Sequence, residues 1–214
     1  MMNWYKISSR NIELDQYLND LATEIASEMI SFYGQSFGIK ELGKDNFFNP
    51  YTKQNQDIYV VAFDKDSRAI AKYSPESFIL NVYPNSIDIN IRDKTILKEY
   101  FRQSIYHELV HAIDPSMMFS KIEDQNKNEC DYYCLPYEFN AYSSQIAQDI
   151  LFQSNKNKSI LDDVKKWLMY SGNYPNVLKP YDKIINCWIK NDKEKDTELL
   201  RIFKQKLYYS LFEE

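Results

Sequence analysis

Between Asn11 and Tyr33 the residues Leu14, Tyr17, Leu18, Leu21, Ile25, Met29 and Phe32 recur every three or four positions, the period of one face of a helix. Gly34 follows as a stop, so the spacing predicts an amphipathic helix over 11–33. Residues 35–56, QSFGIKELGKDNFFNPYTKQNQ, mix Gly, Asn, Pro and charge without a period and read as a long loop. The period then changes to two. DIYVVAF, RAIAKY, SFILNVY and SIDINIR are short runs rich in β-branched and aromatic residues, separated by turn-like DKDS, SPE and PNS. They predict three or four strands of a small, mostly antiparallel sheet. In the last run Ile87, Ile89 and Ile91 alternate with Asp88, Asn90 and Arg92, as in a strand with one buried and one wet face.

Beyond Arg92 the pattern is helical. Thr95 to Ile113 is the most apolar helix, and Pro115 lies just past its end. A polar stretch fills 115–135. Pro136 suits the first turn of a further helix running to about Gln153. Three more helices are expected at 159–170, 180–190 and 196–212, the last with a stripe of Leu199, Leu200, Phe203, Leu207 and Leu211. Helix, small sheet and then a helical half make an α+β chain. It reads as one domain over 1–214, with the first helix and sheet in 1–92, a helix pair in 93–153 and a helical remainder in 154–214.

Composition narrows the function classes. A hydrophobic share of 44% and a charged share of 27% suit a globular protein rather than a disordered one. The opening segment has no apolar leader, and the longest apolar run, IYVVAF, is far too short to span a bilayer, so neither export nor membrane anchoring is expected. Residues 1–150 hold 14 Lys and Arg against 22 Asp and Glu, whereas 151–214 hold 12 against 9, which argues against a nucleic-acid partner. The four glycines are too scattered for a phosphate-cradling loop. Cys130, Cys134 and Cys187 make an odd count without a secretory leader, so reduced thiols and a cytoplasmic location are expected.

Both histidines of the chain, His107 and His111, fall in SIYHELVHAID with Glu108 between them. Positions i and i+4 share a helix face, so the two imidazoles can aim at a single ion. This is the HExxH arrangement, in which two histidines bind Zn²⁺ and the glutamate acts as general base on a water. With only two histidines in the chain, coincidence is a poor account of that spacing. Phe101, Ile105, Leu109 and Ala112 form a core stripe beside them, and Val110 and Ile113 extend the apolar surface, which places the histidine face in a cleft.

A catalytic zinc needs a third protein ligand and an open fourth position. No third histidine exists; Asp114 and Met117 stand where the glycine and last histidine of HExxHxxGxxH would be. Three sources remain. Glu138, in PYEFNAY, lies in the first turn of the next expected helix, with the small Ala141 one turn on, and is preferred. Asp114 could be a ligand, a partner of a histidine N–H or a helix terminator. Cys130 and Cys134, with the two histidines, would make a closed structural zinc without catalysis. Tyr142 could bond a substrate carbonyl, although core packing is the plainer role.

HELVH followed by Glu138 and Ala141 resembles the zincin metallopeptidases, within them the gluzincin-like group, and is similar to small intracellular and phage-encoded predicted peptidases. The resemblance covers residues 95–145. It implies a zincin-like fold with the sheet packed on the HExxH helix, Zn²⁺ held by His107, His111 and Glu138, Glu108 as general base and a peptide or protein substrate. It also implies an edge strand that pairs with the substrate backbone, for which Ile87–Ile91 is the candidate. Two departures stand out: 27 positions separate His111 from Glu138, and Tyr142 replaces the aspartate found four residues after the ligand in thermolysin-like members. An inactive relic of the fold with a binding role is the remaining alternative.

Overall fold

The computed structural model describes residues 12–64, 69–86, 93–115, 117, 128–170, 174–191 and 198–212. They fall into two compact units, one on each side of residue 120. The first runs from 12 to 117 and holds α1 (Ile12–Phe32), β1 (Lys40–Asn49), β2 (Gln54–Ala62), β3 (Ala71–Ser74), β4 (Ile79–Val82) and α2 (Lys94–Ile113). The second runs from 128 to 212 and holds α3 (Glu129–Tyr133), α4 (Pro136–Lys156), α5 (Ser159–Tyr170), α6 (Asp182–Asn191) and α7 (Glu198–Phe212). The α+β expectation is met by this order. No helix among the described residues is long and apolar enough to cross a membrane.

The sheet of the first unit is mixed, with strand order β1-β2-β4-β3. β1 pairs with β2 and β3 with β4 in antiparallel fashion, while β2 and β4 run parallel. Alternation explains the inner face. Ile58, Val60 and Ala62 of β2, Ala71 and Tyr73 of β3, and Leu80 and Val82 of β4 are buried, every second residue along each strand. α2 lies along β3 and against α1. Its stripe of Leu97, Phe101, Ile105 and Leu109 meets Leu14, Leu18, Ala22, Ile25 and Met29 of α1 in the buried core.

β1 corrects the expected loop at 35–56. Of its ten residues only Phe47 and Asn49 are buried, so no hydrophobic alternation marks it in the sequence. What makes it a strand is the main-chain ladder to β2, from Lys40 opposite Ala62 to Asn49 opposite Gln54. The expected strand SIDINIR lies at 86–92, largely outside the described residues.

The ends of α2 are closed by identifiable partners. Asp93 caps the N-terminus, its carboxylate accepting from the Thr95 and Ile96 N–H groups at 2.8 and 3.4 Å. The last four carbonyls of a helix have no partner inside it. Here the Asp114 N–H serves Val110 and His111. The Gln56 side-chain amide donates to the Ala112 carbonyl at 2.6 Å, and that of Asn49 to the Ile113 carbonyl at 3.1 Å. Asn49 also donates to the Gln56 side-chain carbonyl at 2.9 Å, and both residues are buried. The β1–β2 hairpin therefore holds the helix that carries HELVH.

The second unit is built around Trp188 of α6, which packs on Phe139 of α4 and Phe203 of α7 with ring centroids 4.9 Å apart in each case. The indole N–H donates to the Tyr133 carbonyl at 2.8 Å, tying α3 to α6. A Cys130–Cys187 disulfide makes the same tie covalently.

Replacing Gln56 by Ala leaves the buried Ala112 carbonyl without its side-chain donor and takes from Asn49 one of its two acceptors. Unfolding stability should fall by about 1–3 kcal/mol, seen in urea denaturation as a lower midpoint at unchanged slope.

Candidate metal centre

On α2, His107 and His111 stand one turn apart, with rings edge to face and centroids 4.7 Å apart. They are 7% and 3% exposed, as the apolar residues around them require. Imidazoles are seldom buried to this extent without a partner or a ligand.

Glu108 is half-buried and lies over the sheet. Its Oε2 accepts a hydrogen bond from the Tyr73 main-chain N–H at 2.8 Å. Tyr73 sits opposite Leu80 in the β3–β4 ladder. A main-chain donor cannot rotate away as a side chain can, so β3 holds this carboxylate in one orientation. Burial pushes the Tyr73 hydroxyl up to about 12, against a smaller opposing effect of Gln56. It therefore remains neutral, and accepts from the Gln56 amide at 3.4 Å.

Glu138 occupies the first turn of α4, which opens with Pro136. The exposed N–H groups of a helix N-terminus favour negative charge there. The residue is 3% exposed, and its Oε1 accepts a hydrogen bond from the Tyr132 hydroxyl of α3 at 2.5 Å.

His107 and His111 of the first unit and Glu138 of the second are each buried, and each offers one atom suited to a metal ion. Two imidazoles and a carboxylate suit a divalent transition ion.

The other expected sources of a ligand are placed elsewhere. Asp114 is the C-cap of α2, the helix-terminating role. Cys130 is bonded to Cys187, with Cα atoms 4.9 Å apart, because the first turn of α3 faces α6 at that point. This corrects the expectation of reduced thiols and removes Cys130 from a closed Cys2His2 zinc site. Cys134 is outside the disulfide and buried in the core of the second unit. Tyr142 packs edge-on against Tyr133 with centroids 5.4 Å apart, in keeping with the core role.

Two residues that touch the carboxylates were not singled out by the sequence. Tyr73 acts through its main chain, which leaves no signature in residue type. Tyr132 does have a local one: Asn128 caps α3, its side chain accepting from the Asp131 N–H at 3.0 Å, ahead of the acidic Glu129 and Asp131. That signature announces the short helix but not where its tyrosine points.

Compared with protein-family models, curated proteins and solved structures, the chain finds no match.

An ion that binds only the folded protein adds about 2.7 kcal/mol at a free concentration of 100 times its Kd. Thermal unfolding with and without a chelator should show such an increment for the wild type, and His111→Ala should abolish it.

Proposed function

We propose that this protein is a zinc-dependent metallopeptidase with a zincin-like site. One observation carries the reading: two buried imidazoles one helical turn apart, His107 and His111, accompany a glutamate, Glu108, that follows the first histidine and is held by a main-chain N–H, and the buried Glu138 is the proposed third ligand. The donor chemistry supports zinc, whose catalytic sites use three nitrogen or oxygen ligands and keep one position open.

Zinc bound there would supply a Lewis acid that polarises a substrate carbonyl and acidifies a water. The chain's own residues do the rest. Glu108 takes the proton from the attacking water and passes it to the leaving amine, so that it serves as base and then as acid. Its hydrogen bond to Tyr73 leaves the second carboxylate oxygen for this transfer. β3 is an edge among the described strands, and it runs beside Glu108. An extended peptide pairing with that edge would lie next to the base, which supports a peptide substrate. The expected edge at Ile87–Ile91 lies outside the described residues, so β3 takes over that role in the proposal.

A closed structural zinc has less support, because Cys130 is committed to Cys187. Disulfides are rare in a reducing cytosol, so the expected cytoplasmic location belongs with reduced thiols rather than with this bond.

Replacing Glu108 by Gln keeps the size of the side chain and removes the base. Peptide hydrolysis, followed by mass spectrometry on a mixed peptide library, should fall by at least about 10²–10⁴-fold, while zinc stoichiometry stays at the wild-type value. Undiminished hydrolysis by this variant would rule out the mechanism.

A further inference from the structure

We infer that Tyr132 is the positioning residue of the metal ligand Glu138, and that the Cys130–Cys187 disulfide holds it in place. The inference rests on the reading of His107, His111 and Glu138 as a metal site.

Three observations within the second unit lead to it. The Tyr132 hydroxyl donates to Glu138 Oε1, which engages one of the two carboxylate oxygens. A carboxylate so held binds through a single oxygen, in a fixed direction; without the donor it is free to turn and offer both. Hydrogen bonds of this kind to metal-ligating carboxylates tune affinity by about 10–100-fold.

Second, Tyr132 belongs to a helix of only five residues, too short to hold its own shape in water. Something else must keep the hydroxyl on target. Third, α3 is fastened to α6 on both sides of Tyr132 in sequence. Cys130 is bonded to Cys187, and the Tyr133 carbonyl receives the Trp188 indole N–H at 2.8 Å. An ion pair of Glu129 with Lys183 at 2.5 Å lies on the same side, but both partners are exposed and it contributes little. The disulfide closes a loop spanning 57 positions and is the strongest of these ties.

The chain of contacts is therefore α6, disulfide, α3, Tyr132, Glu138. Reduction by a dithiol, which supplies two electrons and two protons and is itself oxidised to a disulfide, converts Cys130 and Cys187 to thiols and leaves α3 tied to α6 by the Trp188 hydrogen bond and the exposed Glu129–Lys183 pair alone. The Tyr132 donor is then held less firmly against Glu138. Metal affinity is in this way linked to the oxidation state of Cys130 and Cys187.

The test measures zinc affinity by competition with a chromophoric chelator, and the visible spectrum of the Co²⁺-loaded protein, for the wild type, Tyr132→Phe and Glu138→Ala. Tyr132→Phe keeps the ring and deletes only the donor. The inference expects it to weaken zinc binding about tenfold or more and to alter the Co²⁺ bands as the carboxylate changes its mode of coordination, which loss of packing alone does not do. Mild dithiol treatment should weaken zinc binding in the wild type and add little in Tyr132→Phe, since both act on one contact. Zinc affinity and a Co²⁺ spectrum unchanged in Tyr132→Phe, with Glu138→Ala strongly impaired, overturn the role of Tyr132 and leave the metal site standing. An equal effect of reduction in both proteins overturns the link to the disulfide. Wild-type affinity in Glu138→Ala overturns the metal-site reading itself, and the inference with it.

Discussion

The position of HELVH depends on how the C-terminus of α2 is closed. Four carbonyls there lack intrahelical partners, and each one buried without a donor would cost about 1–3 kcal/mol. The structure supplies all four, two from the Asp114 N–H and two from the buried amides of Gln56 and Asn49. Because those amides belong to the β1–β2 hairpin, the sheet and the histidine helix are joined by polar contacts of defined direction as well as by apolar packing. Hydrophobic contact alone would allow the helix to slide or turn; the amide pair fixes its register.

Given that register, β3 meets Glu108 through the Tyr73 N–H. Glu138 in the second unit is also held by one donor, but of another kind, the hydroxyl of Tyr132. A main-chain donor is as rigid as the strand it belongs to. A side-chain donor is only as rigid as its helix, and α3 owes its position to Cys187 and Trp188. Under the proposed function, a base that must face the same way in every turnover suits the first device, and a ligand whose affinity can be adjusted suits the second.

Much of this was legible in the sequence, for particular reasons. The helices at 12–32, 94–113 and 159–170 follow from apolar periods that extend over three or more turns. Pro136 marked the start of α4 to the residue. The spacing of His107 and His111 settled that they share a face, and the stripe beside them that the face is buried. β1 was missed because its residues are mostly exposed and a main-chain ladder leaves no pattern in side-chain type. The disulfide was missed because an odd count of three cysteines carries no pairing information.

The sequence by itself determined the long helices, the HELVH face and the short set of carboxylates and thiols that are candidate ligands, since caps and periodicity act over a few residues. Tertiary structure alone gave several of these residues their partners. It bonded Cys130 to Cys187 across 57 positions, laid the Tyr73 N–H on Glu108 across 35, and joined Gln56 to Ala112 across 56. These choices depend on the path of the chain between the partners, and no local preference of either residue encodes that path.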